Sequence, residues 1–152
     1  MKRKVVWNAC YGGFSLSPLA EKMLYEKKHP GETVYFYKED YESKILRRID
    51  EKDLSSCDSF SIQCVSLDFG KEMKIEKGSI EEKRFSNHLV WTPDTVRHDP
   101  DLVWVVEELG TEKASGRCAK LKVMDIGDSH YHIDEYDGYE TVITNLGDDY
   151  WI

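Results

Sequence analysis

The hydrophobic and polar positions of the first forty residues predict a strand, a helix and a second strand. The apolar run over residues 4–10 is typical of a buried strand. Ser17 and Pro18 form an N-cap and first-turn pair, and the helix that they begin is expected to run through residues 18–28. Residues 33–39 are rich in β-branched and aromatic side chains, which favours the second strand.

The second half of the chain carries equally clear patterns. Asp99 and Pro100 predict a helix N-terminus, and Gly110 stands where a helix C-terminus is expected after one apolar face. Residues 118–127 alternate between apolar and polar, as in a half-buried strand. An Asp-Gly pair at residues 137–138 separates two alternating runs and predicts a β hairpin.

Residues 40–87 carry weaker patterns. An apolar face in residues 42–54 is compatible with a short helix, and residues 58–70 predict a strand with a bulge or twist. Gly78 is placed as in a hairpin turn. We therefore predict an exposed elaboration over residues 40–87 on a single domain that covers residues 1–152. The fold class expected from the whole pattern is α+β, with a mostly antiparallel sheet, two principal helices and a C-terminal β hairpin.

Composition and charge narrow the function classes. Hydrophobic residues make up 40% of the chain and charged residues 33%, which is typical of a globular protein without membrane helices. The net charge is −8, and the part from Asp99 onward holds 13 acidic and four basic residues. This acidic part argues against nucleic acid as the partner, because phosphate contacts need clustered lysine and arginine. It suits a basic protein partner, or simply solubility.

The N-terminal segment and the cysteines give information on the cellular compartment of the protein. The apolar segment near the N-terminus is too short for a secretory signal, so a cytoplasmic protein is expected. The four cysteines, Cys10, Cys57, Cys64 and Cys118, lack CxxC spacing. Reduced thiols are therefore the default, and a zinc site of the usual spacing is not predicted.

Three blocks of the sequence carry a resemblance. They read N-x-C-Y-G-G-F-x-L-S over residues 8–17, R-x-D-P-x-L-V running into V-V-E-E-L-G over residues 97–110, and E-Y-D-G-Y-E over residues 135–140. The blocks resemble a family of small proteins from tailed phages and prophages. Residues 40–87 carry no such resemblance, and the ending at residues 145–152 departs from the more basic tail usual in the family.

The resemblance implies a phage origin and a location in the cytoplasm of the host bacterial cell. It implies no reaction. By analogy with other phage accessory proteins of this size, it suggests a partner that is a host defence protein or the nucleotide signal molecule of such a protein.

The first block raises a candidate ligand site between the first strand and the first helix. A helix N-terminus beside adjacent glycines is suited to an anion, and two aromatic side chains there could stack on a base. The loop is neither GxGxxG nor a P-loop, so a simple turn plugged by Phe14 and Leu16 stands beside this interpretation. The candidate ligand-binding residues are Asn8, Cys10, Tyr11, Gly12, Gly13, Phe14, Ser15, Ser17, Arg97 and Arg117.

Two catalytic alternatives are weaker. Cys10 near a helix N-terminus could be a nucleophile if His88 or His98 lay beside it. Glu107 and Glu108 could form an acid–base pair, but a solvated helix face, or a salt bridge from one of them to Arg97 or Arg117, is the simpler interpretation.

A metal site is the third chemical possibility. His130, His132 and Asp134 alternate as in H-x-H metal pairs, although the fourth ligand is missing and an exposed polar strand face explains them better. We predict no catalytic residues, no metal and no cofactor.

These observations predict a non-enzymatic phage accessory protein that acts against host defence by binding an immune factor or by sequestering its nucleotide-derived signal. Two alternatives remain open: a small nucleotide-processing enzyme that uses Cys10 or acidic residues, and an acidic decoy of a host nucleic-acid-binding protein. A homo-oligomer with pockets between protomers is left open as well.

Overall fold

The structure, a computed structural model, describes residues 3–56, 62–90, 92 and 95–144. Its α-helices are α1 (Pro18–Lys28), α2 (Ile80–Asn87) and α3 (Pro100–Ala114), and a 3₁₀ helix covers Glu51–Ser56. The strands are β1 (Arg3–Asn8), β2 (Tyr35–Asp40), β3 (Ile45–Ile49), β4 (Ile62–Val65), β5 (Glu72–Lys74), β6 (Leu121–Gly127), β7 (Tyr131–Tyr136) and β8 (Tyr139–Thr144). All strand pairs are antiparallel, which confirms the predicted α+β class and its C-terminal hairpin.

The described residues fall into two compact units. The first unit draws on residues 1–20 and 93–152, and the second on residues 21–92, so the division lies within α1. No helix in the described ranges is long and apolar enough to cross a membrane. The single domain over residues 1–152 stays a prediction.

The first unit is built on the pairing of β1 with β6, against which α3 packs. Val5 and Val6 of β1 are fully buried, as the apolar run predicts. The apolar face of α3 is also buried, through Leu102, Val103, Val105 and Val106. A helix whose apolar side chains recur at this spacing is stabilised mainly by burying that face against a sheet.

The N-terminus of α3 is capped as predicted, and its C-terminal half is kinked. The Asp99 carboxylate accepts hydrogen bonds from the backbone N–H groups of Asp101 at 2.8 Å and Leu102 at 3.3 Å, and Pro100 is the first helical residue. Gly110 leaves the helical conformation, with φ 80° and ψ 167°. The helix therefore breaks at Gly110, as the glycine predicts, but one more helical turn follows before Ser115.

The hairpin of β7 and β8 also forms as predicted. Tyr136 pairs with Tyr139, which leaves Asp137 and Gly138 as a two-residue turn with φ angles of 50° and 88°. Positive φ at both turn positions matches the right-handed twist of the flanking strands, and Asp-Gly tolerates it well. β8 contacts β1, which places the hairpin in the first unit.

The second unit is a four-stranded sheet in the order β4-β2-β3-β5. One face buries a cluster around Phe36 and Cys64, and the other buries a cluster around Tyr37 and Leu46. Neighbouring residues of β2 thus point into different cores, because successive side chains of a strand alternate between faces. Because β2 is buried on both faces, consecutive large side chains occur at residues 35–37 instead of an apolar–polar alternation.

Three expectations for the second unit need correction. The stretch 42–54 forms β3 and the 3₁₀ helix instead of an α-helix, because its apolar residues pair across β2 and divide between the two faces. Gly78 precedes α2, whose N-cap is Ser79, and is no hairpin turn. The predicted strand over residues 58–70 is β4, which ends at Val65, while Phe60 lies outside the described residues.

Residues 40–87 also bury more than an exposed elaboration would. Leu46 and Val65 are fully buried, and Phe85 of α2 joins the same cluster. The weak hydrophobic periodicity of this stretch hid these contributions, because single buried residues lie on several short elements rather than on one long amphipathic element.

Candidate binding site at the glycine loop

The loop over residues 9–17, here called the glycine loop, connects β1 with α1 and lies along residues 113–120. The backbone N–H of Ala9 donates to the carbonyl of Lys120 at 2.8 Å, and that of Ser17 donates to the carbonyl of Ala114 at 2.8 Å. The carbonyl of Ser15 accepts from the N–H of Gly116 at 2.9 Å. The glycine loop is therefore fastened at both ends and close to its middle.

The glycines of this region allow close approach of the chain to itself. A Cβ on Gly12 would lie 2.1 Å from the carbonyl oxygen of Cys118, which is a severe clash with backbone. A Cβ on Gly138, in the hairpin turn, would lie 2.4 Å from the backbone nitrogen of Gly13. The space that a phosphate would need at Gly12 is thus occupied by Cys118, and Gly138 packs on the backbone of Gly13.

A buried polar network joins the glycine loop to β1 and β8. Asn8 is fully buried, and its side-chain amide donates to the carbonyls of Cys10 and Gly138, each at 2.8 Å. Its side-chain oxygen accepts from the backbone N–H of Lys120 at 2.8 Å. The backbone N–H of Asn8 donates to the carboxylate of Glu140 at 2.8 Å. A buried amide with these partners fixes the relative position of three segments.

Arg97 balances the charge of that network. Its guanidinium donates to both carboxylate oxygens of Glu140, at 2.5 and 2.8 Å, while the Glu140 side chain is only 5% exposed. The same guanidinium lies 3.6 Å from the centre of the Phe14 ring. Bidentate pairing together with ring stacking is the geometry in which arginine binds best. A phosphate at Arg97 would have to compete with a carboxylate already in place.

Residues of the three sequence blocks 8–17, 97–110 and 135–140 therefore meet in space. Asn8 and Phe14 come from the first block, Arg97 from the second, and Glu140 from the third. Sequence reasoning missed Glu140 as a member of the candidate site. One signal in the sequence could have pointed to Glu140. It is the first carboxylate after the predicted Asp-Gly turn, and it lies within the third block.

The N-terminus of α1 is satisfied by the chain. The Ser17 hydroxyl accepts from the backbone N–H of Ala20 at 3.1 Å and donates to the carbonyl of Lys113 at 2.5 Å. Ser17 is thus the predicted N-cap, and its side chain fills one of the positions that an anion would take. Among the remaining candidate residues, Cys10 is half-buried and Arg117 is exposed on the neighbouring segment.

Aromatic rings form the outer side of the site. Tyr11 is 64% exposed, and its ring centre lies 5.3 Å from that of Tyr139. Trp7 meets Tyr139 edge-on at 6.4 Å. Tyr136, directly opposite Tyr139 in the hairpin, is 79% exposed. The polar groups of the network face inward, and these rings are what the site presents to its surroundings.

One of the two histidines considered as a partner for Cys10 contacts a tyrosine. The hydrogen bond of His98 goes to the hydroxyl of Tyr131, at 2.6 Å from its Nδ1, and the two rings meet edge-on. Burial raises the pKa of Tyr131 above its ordinary value of 10.0, and the charges of Arg3 and Arg97 partly offset this. A nucleophile at Cys10 would need an imidazole directed at its thiol.

The described cysteines, Cys10, Cys64 and Cys118, form no disulfide, and Cys57 lies outside the described residues. Burial raises the pKa of the Cys64 thiol to about 12, so that this cysteine is inert at neutral pH.

The remaining charged candidates lie on exposed surfaces. His132 and Asp134 contact each other at 2.8 Å on β7, and His130 precedes that strand. Within the described part of the chain, no three histidine, cysteine or carboxylate side chains are grouped so as to hold a metal ion. Glu107 pairs with Lys4 at 2.8 Å, and both side chains are 45% exposed.

The second unit contains a cleft that sequence reasoning did not predict. It has a volume of about 820 Å³ and lies beside the turn between β2 and β3. Its arginines are already paired: Arg47 with Asp40 and Glu72 at 3.5 and 3.3 Å, and Arg48 with Asp68 at 2.6 Å. Charges of both signs that neutralise one another give the cleft no distinct ligand chemistry.

Comparisons of the chain with protein-family models, with curated proteins and with solved structures found no match.

Proposed function

We propose that this chain is a non-enzymatic phage accessory protein that binds a host defence factor inside the infected bacterium. The phage setting rests on the resemblance of the three sequence blocks. The binding role rests on one observation, which is that the blocks meet in a network whose polar groups bind one another while aromatic rings face outward. Such an arrangement is suited to recognition, since exposed tyrosine on a rigid support is typical of protein interfaces.

The polar contacts favour a protein partner over a nucleotide signal. A nucleotide needs a cation for its phosphates and room at the backbone of the glycine loop. Arg97 already binds Glu140, and Gly12 already packs against Cys118. Exposed aromatic rings of this kind are better suited to contact the side chains of a protein than the phosphates of a nucleotide.

A pull-down from phage-infected cells tests the proposal. Tagged protein is cross-linked in the cells, and captured proteins and co-purified small molecules are identified by mass spectrometry. We expect one host protein that excess untagged wild-type chain displaces, because a specific interface saturates. Capture of a nucleotide without a protein, or of no displaceable protein, contradicts the proposal.

Sequestration of a nucleotide signal is the second candidate, favoured by exposed Arg117 on the segment that packs against the glycine loop. If this candidate holds, a nucleotide raises the melting temperature, and Arg117→Ala weakens the nucleotide by about tenfold, as expected for one lost phosphate contact. Arg48→Ala, in the second unit, is the control. Unchanged titration heats in Arg117→Ala contradict this candidate.

A further inference from the structure

Four aromatic side chains lie at or beside the tip of the β7–β8 hairpin, and this group is here called the tyrosine tip. It consists of Trp7, Tyr11, Tyr136 and Tyr139. Tyr139 touches the rings of Trp7 and Tyr11, and Tyr136 is its cross-strand neighbour. Tyr11 and Tyr136 are the two members with more than half of their surface exposed. A contiguous patch of this kind is more informative than a lone exposed aromatic side chain.

The tyrosine tip is held rigidly from behind. The turn residue Gly138 packs on the backbone of Gly13, and its carbonyl accepts from the buried amide of Asn8. Glu140, one residue beyond Tyr139, is fixed by Arg97 and by the backbone of Asn8. A surface that is fixed before binding loses little conformational entropy when a partner docks.

Exposed carboxylates lie along β7 and in the hairpin turn, with Asp134 on the face of Tyr136 and Glu135 on the opposite face. Asp134, Glu135 and Asp137 are all exposed, and residues 131–140 contain no lysine or arginine. Asp134 contacts His132, which carries a positive charge only when protonated. Glu140 is neutralised by Arg97, so the exposed charge at the hairpin end of the tip is negative, while exposed Lys122 lies opposite Trp7 at the other end. Charge complementarity at the hairpin end therefore favours a basic partner over a phosphate-bearing one.

We propose that the tyrosine tip docks an arginine-rich protein surface. Arginine is the basic side chain that both stacks on aromatic rings and pairs with carboxylates through a planar fork. Arg97 shows this chemistry within the chain, since it stacks on Phe14 and pairs with Glu140. The tip presents the same two kinds of group to the outside. This inference rests on the proposed binding function and adds the surface and the chemistry of the partner.

Binding of a fluorescein-labelled nona-arginine peptide to the full chain, followed by anisotropy at about 150 mM salt, tests the aromatic part. Tyr11→Ser and Tyr136→Ser should each weaken binding by about tenfold, as for an interface anchor. Tyr41→Ser is the matched control, since Tyr41 is 71% exposed on the second unit, and it should change the affinity less than about twofold. Nona-lysine should bind about fivefold or more weakly than nona-arginine, because it cannot form the planar fork.

The acidic part is tested by two triple variants that change the net charge equally. The tip variant is Asp134→Asn, Glu135→Gln and Asp137→Asn, and asparagine fits the positive φ of the turn. The control variant is Asp50→Asn, Glu51→Gln and Glu81→Gln, at exposed positions of the second unit. The tip variant should lose about tenfold in affinity and the control about twofold or less. Thermal unfolding checks that each variant is folded.

Three results overturn the inference: absence of nona-arginine binding, equal weakening by the two triple variants, and equal affinity for arginine and lysine peptides. The pull-down separates this failure from failure of the proposed function. If the tip variants still capture the displaceable host protein, the binding function stands and the tyrosine tip is not its surface. If the peptide binds at the tip while wild-type chain captures no protein, the surface chemistry stands and the proposed function fails.

Discussion

Gly12 and Gly138 lie where two stretches of backbone touch, and for that reason no larger residue fits there. Gly12 needs the space beside Cys118, whereas Gly138 needs both space beside Gly13 and a positive φ. These glycines are therefore required by close contacts within the chain. Asn8, Arg97 and Glu140 complete the arrangement, because each satisfies a polar group that the close packing buries.

Gly12→Ala tests the requirement for space. A Cβ 2.1 Å from a backbone oxygen forces the chain apart, so we expect the free energy of unfolding to fall by about 2–3 kcal/mol in urea denaturation. Gly31→Ala is the control, because Gly31 has a positive φ of 92° but nothing near its Cβ position. Strain alone should cost about 1 kcal/mol there. Equal losses in the two variants would show that the Cys118 contact does not matter.

The Arg97–Glu140 pair should be strongly coupled. Removing either partner leaves a buried charge alone, so Arg97→Ala and Glu140→Ala should each cost about 3–5 kcal/mol of unfolding free energy. The double variant should cost less than the sum of the two by more than about 1 kcal/mol. Lys4 and Glu107, both 45% exposed, provide a control pair whose double-mutant cycle should show little coupling. Additive losses at Arg97 and Glu140 contradict the role assigned to the pair.

At the scale of elements, local sequence signals account for α1, α3 and the hairpin. Each contains its own start or turn signal: Ser17, Asp99 with Pro100, and the Asp-Gly turn. The elements of the second unit differ, because β3 and β5 are short and their apolar residues serve two opposite cores. Stretches of that kind take their conformation from pairing with neighbouring strands.

Asp99 tests the contribution of a cap to α3. Asp99→Ala removes the acceptor of two backbone N–H groups and should lower the free energy of unfolding by about 1 kcal/mol. Asp99→Asn keeps an acceptor in place and should cost less than half of that. Urea denaturation of both variants measures the difference. Equal losses would mean that the charge of Asp99, not its hydrogen bonds, stabilises the helix.

At the scale of the whole molecule, stability depends on pH through groups whose pKa differs between the folded and the unfolded chain. Glu21, in the second unit, is the clearest: burial raises the pKa of its carboxyl above 4.5, and the hydrogen bond from the Thr92 hydroxyl at 2.6 Å partly offsets this. The folded chain then binds the proton more tightly than the unfolded chain. The unfolding free energy therefore falls as the pH rises from 4.5 through the raised pKa.

Glu21→Gln removes this dependence while keeping an oxygen for Thr92. The stability of the variant relative to the wild type should rise across that pH window and become constant above it, measured by urea denaturation at a series of pH values. A difference for Glu21→Gln that does not vary with pH contradicts the burial effect.

The sequence by itself determined the α+β class, the apolar first strand, the two capped helices and the hairpin. It did so because caps, turns and periodic faces act within a few residues of one another. It also marked the three blocks that form the candidate site. It could not show that Glu140 would take Arg97, since the two partners are 43 residues apart.

Only the tertiary structure decided what the glycine loop is for. A glycine that leaves room for a phosphate and one that leaves room for the chain itself look the same in a sequence. Here Cys118 and Gly138 come from distant segments and pack against Gly12 and Gly13, and Arg97 is bound by Glu140. Those long-range contacts bury much of the loop and leave Tyr11, beside the hairpin, exposed.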